Sequence, residues 1–243
     1  MDPQRRLLRR IEAGAGEPAV VLEAGMNNGA AAWQRVTPLL APQVRVVAYD
    51  RAGIGGSAPP PGGRVTVNGQ VEDLASVVTG LDAGPCVLAG HSWGCLLAQL
   101  LAFRRPDLVA GLVLVDPGHV EMEEALPLPI RWGWRITRTL FPDELHDDGP
   151  AGEAALRELQ TAERPFPDVP VAVLSAAAVL SAAGGFPLLR RFRTQWTSLQ
   201  AGLAASAAQG RHVIVDGTGH NIPRDRPDVV ADTILTVAAQ VRA

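Results

Sequence analysis

Six short apolar runs punctuate this chain, and most are hydrophobic at every position rather than at alternate ones: Ala19–Leu22, Val44–Tyr49, Cys86–Ala89, Leu112–Val115, Val169–Leu174 and His212–Val215. A strand that is apolar at successive positions has no face to turn to water, so it belongs in a sheet covered on both sides. Helix-period segments lie between the runs. Val71–Leu81 places Leu74, Val77, Val78 and Leu81 on one face. Gly94–Arg104 follows the third run directly, and Pro227–Val241 turns Val229, Val230, Ile234, Val237 and Val241 inward. Strand and helix in alternation predict an α/β fold, a mostly parallel central sheet with helices on both faces. Pro170 fits only near the start of the fifth strand, because it cannot donate to a ladder.

The alternation breaks once. Residues 119–168, between the strand ending at Asp116 and the strand starting near Val169, hold Arg131, Arg135 and Arg138 at helical spacing, with Trp132, Trp134, Leu156 and Leu159. This stretch is expected to be a small helical cap inserted into one domain spanning residues 1–243. The Pro59–Gly63 stretch reads as a rigid surface loop.

Composition narrows the function. All 22 basic residues are arginine, and lysine is absent. Chemistry that needs a lysine amine is thereby excluded, from pyridoxal Schiff bases to the phosphate-loop lysine of NTPases and kinases. Guanidinium stays protonated and cannot substitute. A net charge of −3 gives no broad footprint for nucleic acid or an anionic membrane. Cys86 and Cys95 are too few to staple the domain or build a zinc cluster, and read as small buried residues. Met1–Arg10 carries four arginines with no apolar core behind them, and no apolar run approaches membrane-span length. The expectation is a soluble, reduced, cytoplasmic protein.

Gly90-His91-Ser92-Trp93-Gly94 is the chemistry-bearing run. It matches G-x-S-x-G and stands between a strand and a helix, the context in which that motif forms a nucleophile elbow. The sharp turn needs small residues two places before and two places after the serine, and Gly90 and Gly94 supply them. It lifts the Ser92 hydroxyl above the sheet edge.

A serine hydroxyl needs a base. Of the five histidines, His220 is best placed, just beyond the last strand and so at the same end of the sheet as the elbow. His91 should point away from its neighbour Ser92. His212 begins a strand at the opposite edge, and His146 reads as a solvated cap residue. His119 stands at the insertion's first turn, where substrate contact and packing suit it equally.

The base in turn needs a carboxylate to fix its tautomer. No Asp or Glu occurs from Val169 to Val215, so the end of the fifth strand cannot supply one. Asp116, at the end of the strand after the elbow helix, is the expected acid; Asp216, close to His220, is the weaker rival. Ser92, Asp116, His220 is the chain order nucleophile, acid, base. The oxyanion needs preorganised donors. The Trp93 amide at a helix N-terminus is one, and Gly25 lets the loop after the first strand offer the Met26 amide as the other. Asn27 and Asn28, beside that loop, are candidate substrate contacts, as are Trp132 and Trp134.

Leu22–Gly25, Tyr49–Ser57, Gly90–Gly94, Leu112–Asp116 and Gly219-His220 together resemble the α/β-hydrolase family from Val20 to the C-terminus. The resemblance implies first strands that are truncated and a less common acid position at Asp116. Glu23 departs from it, standing where many members have histidine before the oxyanion glycine. It implies a serine hydrolase acting on an ester, lactone or thioester of a small hydrophobic substrate. Carbon–carbon bond hydrolysis, a biosynthetic tailoring reaction using the same triad, and non-catalytic ligand binding are the alternatives. Dehalogenases and epoxide hydrolases of this fold would need Asp at position 92. No cofactor is expected: Ala58 occupies the third glycine position of a dinucleotide fingerprint, and no metal motif occurs. The expected partner is a small-molecule substrate, with no nucleic acid or membrane; the oligomeric state stays open.

Overall fold

The computed structural model describes residues 8–60, 62–118, 150–162, 166–177 and 187–242. In chain order the elements are β1 (Arg10–Ala13), β2 (Val20–Glu23), α1 (Thr37–Leu40), β3 (Val46–Tyr49), α2 (Val67–Thr79), β4 (Cys86–His91), α3 (Trp93–Arg104), β5 (Val109–Val115), α4 (Pro150–Thr161), β6 (Pro170–Ala176), α5 (Pro187–Ala205), β7 (Gln209–Val215), α6 (Ile222–Asp225) and α7 (Pro227–Arg242).

The seven strands form one sheet in the order β1-β3-β2-β4-β5-β6-β7. Only β1 runs antiparallel, pairing Arg10 with Tyr49 and Ala13 with Val46. Every other pairing is parallel. This is the mostly parallel α/β sheet that the apolar runs predict.

Alternate residues of each strand feed two cores. Val21, Leu88, Leu112 and Val173 face one side, where they meet Leu74 and Val77 of α2, Leu97 and Leu101 of α3, and Leu159 of α4. Val20, Leu22, Val87, Val113 and Leu174 face the other, against Trp33, Leu40 of α1, and Val230, Ile234 and Val237 of α7. Residues 94–102 of α3 are all buried, as its almost unbroken apolar sequence requires.

Four features depart from expectation. The chain before Val20 contributes β1, so the sheet is less truncated at this edge than the resemblance implies. Helix α2 starts earlier than the apolar face, at Val67, because the Thr66 side chain accepts from the Gly69 amide and caps it. Helix α5 is not among the expected elements, although Leu188, Phe192, Trp196, Leu199 and Leu203 recur at helical spacing; among its described side chains it buries Trp196, Gln200 and Ala204. His212 lies inside β7 rather than at its start. Pro170 does open β6, as its missing N–H demands. Of the expected cap, α4 is a helix; residues 119–149 and 163–165 lie outside the described residues.

Candidate active site

Strand order reverses between β2 and β4: the chain leaves β2 toward β3 on one side and later continues from β4 toward β7 on the other. In open α/β sheets ligands bind outside the carboxyl ends of the strands at such a switch point, between the loops from its two sides. The loop after β2 and the turn after β4 are those two loops.

The turn after β4 is built by sterics. Ser92 sits at φ 52°, ψ −114°, a region L-residues rarely adopt. A β-carbon at Gly90 would lie 2.6 Å from the Gly94 carbonyl carbon, and one at Gly94 would lie 2.7 Å from the Ala24 carbonyl oxygen. Both contacts are with backbone, so glycine is required at each. The Ser92 amide donates to the Val115 carbonyl at 2.9 Å, tying the elbow to the end of β5.

That bond also brings Asp116 beside the elbow, because β4 and β5 run in register up to His91 and Val115. Asp116 is fully buried and has φ 49°. Its amide donates to the Leu174 carbonyl at 2.7 Å. Its Oδ1 accepts from the Ala176 amide and from the Trp196 indole, each at 3.2 Å. A carboxylate can be buried only when its lone pairs are occupied in this way. The Gln200 amide holds the next carbonyl, that of Pro117, at 2.7 Å.

The loop after β7 carries His220 to the same place. His220 Nδ1 donates to Asp116 Oδ2 at 2.6 Å, and the Ser92 hydroxyl donates to His220 Nε2 at 2.9 Å. The carboxylate can only accept, so the proton sits on Nδ1 and leaves Nε2 free to receive one from serine. About half of the His220 side chain is exposed, while Asp116 is sealed. Asp216 is exposed on the surface and Asp116 occupies the position beside the imidazole.

The loop after β2 closes on the elbow from the opposite side. A β-carbon at Gly25 would stand 3.2 Å from His91 Nδ1 and 3.6 Å from Ser92 Cβ. The Gly25 carbonyl accepts from the Asn28 amide at 3.1 Å, which curls the loop. The Ser92 carbonyl accepts from the Cys95 amide, turned into α3, so the Trp93 N–H of that trans peptide points out of the helix end. The Trp93 indole donates to Gln70 at 2.9 Å.

Asn27 and Asn28 are exposed; Asn27 has φ 56°, and the Asn28 side chain donates to the Met26 carbonyl at 3.0 Å, so its amide shapes the loop locally. His119, Trp132 and Trp134 lie outside the described residues. Among the described residues no His/Cys/Asp/Glu group could hold a metal ion, and no helix is long and apolar enough to cross a membrane. Both cysteines are free and buried; burial pushes the Cys86 thiol up to about 11 and Cys95 well above the ordinary range.

Sequence reasoning passed over Trp196, which donates to Asp116, Gln200, which holds the adjoining Pro117 carbonyl, and Arg51, which lies with Glu23 under the loop after β2. Trp196 and Gln200 come from α5, whose apolar residues Leu188, Phe192, Trp196, Leu199 and Leu203 stand at helical spacing and were the available signal. The Glu-Arg pair had one visible sign, a lone acid inside the Val20–Leu22 strand end.

The sheet, the elbow and the loop cluster define a hydrolase fold, and the comparison with known proteins makes the family plain. The alpha/beta hydrolase family model matches residues 20–233, and this chain belongs to that family. It is similar to uncharacterized protein YqjL of Bacillus subtilis strain 168, at 25% identity over 225 residues covering 92% of this chain and 85% of that protein. Lipase LipV of Mycobacterium tuberculosis (strain ATCC 25618 / H37Rv) is 38% identical over 105 residues, 43% of this chain and 39% of LipV. In structure, a thermophilic esterase from Thermogutta terrifontis superposes with a TM-score of 0.65 at 23% identity, over 97% of this chain and 94% of that one.

Proposed function

We propose that this protein is a serine hydrolase that cleaves an ester, lactone or thioester of a small hydrophobic substrate through an acyl-enzyme. The observation that carries the reading is the unbroken chain of hydrogen bonds from Ser92 through His220 to buried Asp116. Ser92 Oγ attacks the carbonyl carbon while its proton passes to His220 Nε2. Asp116 keeps the imidazole in the productive tautomer and stabilises the imidazolium. The carbonyl π-electrons move to oxygen, and the Met26 and Trp93 amides receive that oxyanion. As it collapses, the bond to the leaving group breaks and His220 returns the proton to the departing oxygen or sulfur. Water then attacks the acyl-enzyme with His220 as base, releasing the acid and regenerating Ser92. The names of LipV and of the Thermogutta esterase agree with carbonyl hydrolysis.

The test is a panel of p-nitrophenyl esters, acyl thioesters and lactones, assayed with wild type and Ser92→Ala. Turnover by wild type, with a burst of p-nitrophenol on the first cycle and none from Ser92→Ala, supports the reading. Folded wild type inert across the panel, or a Ser92→Ala variant as active as wild type, overturns it.

A further inference from the structure

Beneath the oxyanion loop lies a buried ionic cluster that the reaction steps do not use. Arg51 is 2% exposed, Glu23 1% and Tyr49 1%. Burying a charged guanidinium is costly unless it is neutralised and its donors are occupied. Glu23 Oε1 accepts from Arg51 Nη1, and Glu23 Oε2 accepts from the Tyr49 hydroxyl. Arg51's remaining reach is spent on backbone. Nη1 donates to the Ala24 carbonyl at 2.7 Å, and Nη2 donates to the Gly25 carbonyl at 2.6 Å and reaches the Asn28 carbonyl at 3.4 Å. One side chain therefore grips the loop at three carbonyls from below.

We propose that Arg51 is the positioning residue of the oxyanion hole, holding the Gly25–Met26 peptide so that its N–H faces the reacting carbonyl. This rests on the hydrolase reading of Ser92. The geometry follows from peptide planarity. The Gly25 carbonyl and the Met26 N–H share one plane and point in opposite directions across a trans bond. With the carbonyl drawn down onto Arg51, the N–H is turned up, away from the cluster, at a residue whose predecessor abuts Ser92. A cation on the carbonyl also polarises the peptide and strengthens the N–H as a donor, as linked hydrogen bonds do in a low-dielectric setting. Glu23 neutralises the guanidinium, and Tyr49 satisfies the second carboxylate oxygen. An acid at position 23, directly before the loop, is then explained by the arginine it balances.

Only arginine does this work. Its planar fork spans a carboxylate and two carbonyls at once, whereas an ammonium is a point donor. Arg51→Lys keeps the charge opposite Glu23 but cannot hold the Ala24 and Gly25 carbonyls together. Arg51→Ala removes both and leaves a guanidine-shaped vacancy.

The experiment compares wild type, Arg51→Lys and Arg51→Ala on p-nitrophenyl butyrate and on a trifluoromethyl ketone inhibitor, with and without added guanidinium ion. The expected result is a fall in kcat of about 10–100-fold at unchanged KM, since a misaimed oxyanion donor acts on the transition state alone. Ketone affinity falls in parallel, and guanidinium partly rescues Arg51→Ala. Arg51→Lys carries the test if Arg51→Ala does not fold, and wild-type kcat in folded Arg51→Lys overturns the proposal. A loss confined to KM overturns it as well. The second readout is the Met26 backbone amide, followed by NMR with methionine-selective labelling, which is sparse because the chain has 3 methionines. The Met26 resonance is expected to move in both variants and to return in Arg51→Ala with guanidinium; an unmoved resonance overturns the proposal. Folded wild type inert toward ester and ketone overturns the hydrolase reading instead, and the Met26 resonance still reports whether Arg51 sets that peptide.

Discussion

His91 holds the backbone carbonyl of His220 at 2.8 Å through its Nε2, and the two imidazole rings lie 4.9 Å apart. The residue before Ser92 thus pins the loop that carries His220. A carbonyl only accepts, so His91 carries its proton on Nε2 and is the donor. Burial, with the neighbouring His220 adding to it, pushes His91 down to about 4. His91 is therefore neutral near pH 7 and places no second positive charge against the imidazolium that the proposed mechanism forms on His220.

Removing that donor should loosen the base rather than remove it. For His91→Ala we expect kcat to fall about 10-fold, the scale of one lost hydrogen bond to a functional loop. His91→Gln, which keeps an N–H donor at similar reach, should recover most of it. Steady-state kinetics on the two variants, with melting temperatures to confirm folding, checks this.

The same histidine makes stability depend on pH. Its proton is bound less tightly in the folded protein, at about 4, than in the unfolded chain, near the ordinary 6.5. Between those values the unfolded state binds more protons, so stability rises with pH. The contribution is fully present above about 6.5 and is lost as pH falls toward about 4, amounting to roughly 3 kcal/mol at the limit. Urea unfolding at pH 7, above that window, and at pH 5, inside it, should show wild type losing more stability than His91→Gln.

Asp116 is the next residue to test. Asp116→Asn presents an amide to His220 Nδ1, favours the wrong tautomer and should lower kcat by about 10³–10⁴-fold. Trp196→Phe leaves the carboxylate in place but takes the indole donor from Oδ1. A bond to a charged group is worth about 1.5–3 kcal/mol, so the loss should lower either kcat or stability on that scale. Asp216→Asn, at an exposed position, should leave kcat unchanged. Measured kcat values for the three variants rank the assignments.

The elbow glycines make a steric prediction. Gly90→Ala places a β-carbon 2.6 Å from backbone that cannot yield, and Gly94→Ala does the same 2.7 Å from the Ala24 carbonyl. Both should lower thermal stability sharply, by several degrees or more at about 2–4 °C per kcal/mol. Gly202→Ala is the control: a β-carbon there meets nothing within 4 Å, it lies inside α5, and it should gain about 0.5–1 kcal/mol.

Much of this was legible before any coordinates. Strands buried on both faces announce themselves as continuous apolar runs, which is why Val20–Leu22, Cys86–Ala89 and Leu112–Val115 read correctly. The Ser92 elbow was visible because its steric demand falls on two glycines at fixed spacing. His220 and Asp116 followed from chain position and from the missing acid at the end of β6. What the pattern hid depends on tertiary context. Strand β1 is a four-residue edge strand with partly exposed residues, so it has no apolar run to show. Helix α5 buries a glutamine, whose amide is satisfied by Pro117, and a tryptophan, whose indole is satisfied by Asp116; both partners lie far away in sequence. In sequence Arg51 is one residue of the Tyr49–Ser57 motif, and only the fold shows it enclosed with Glu23.

The proposed hydrolysis requires Ser92 to be an activated nucleophile. Intact-mass analysis after treatment with a fluorophosphonate tests it most directly, on wild type and Ser92→Ala side by side. A single covalent adduct on wild type and none on Ser92→Ala is expected. Folded wild type that takes up no label, or a Ser92→Ala variant that takes up as much as wild type, would contradict it.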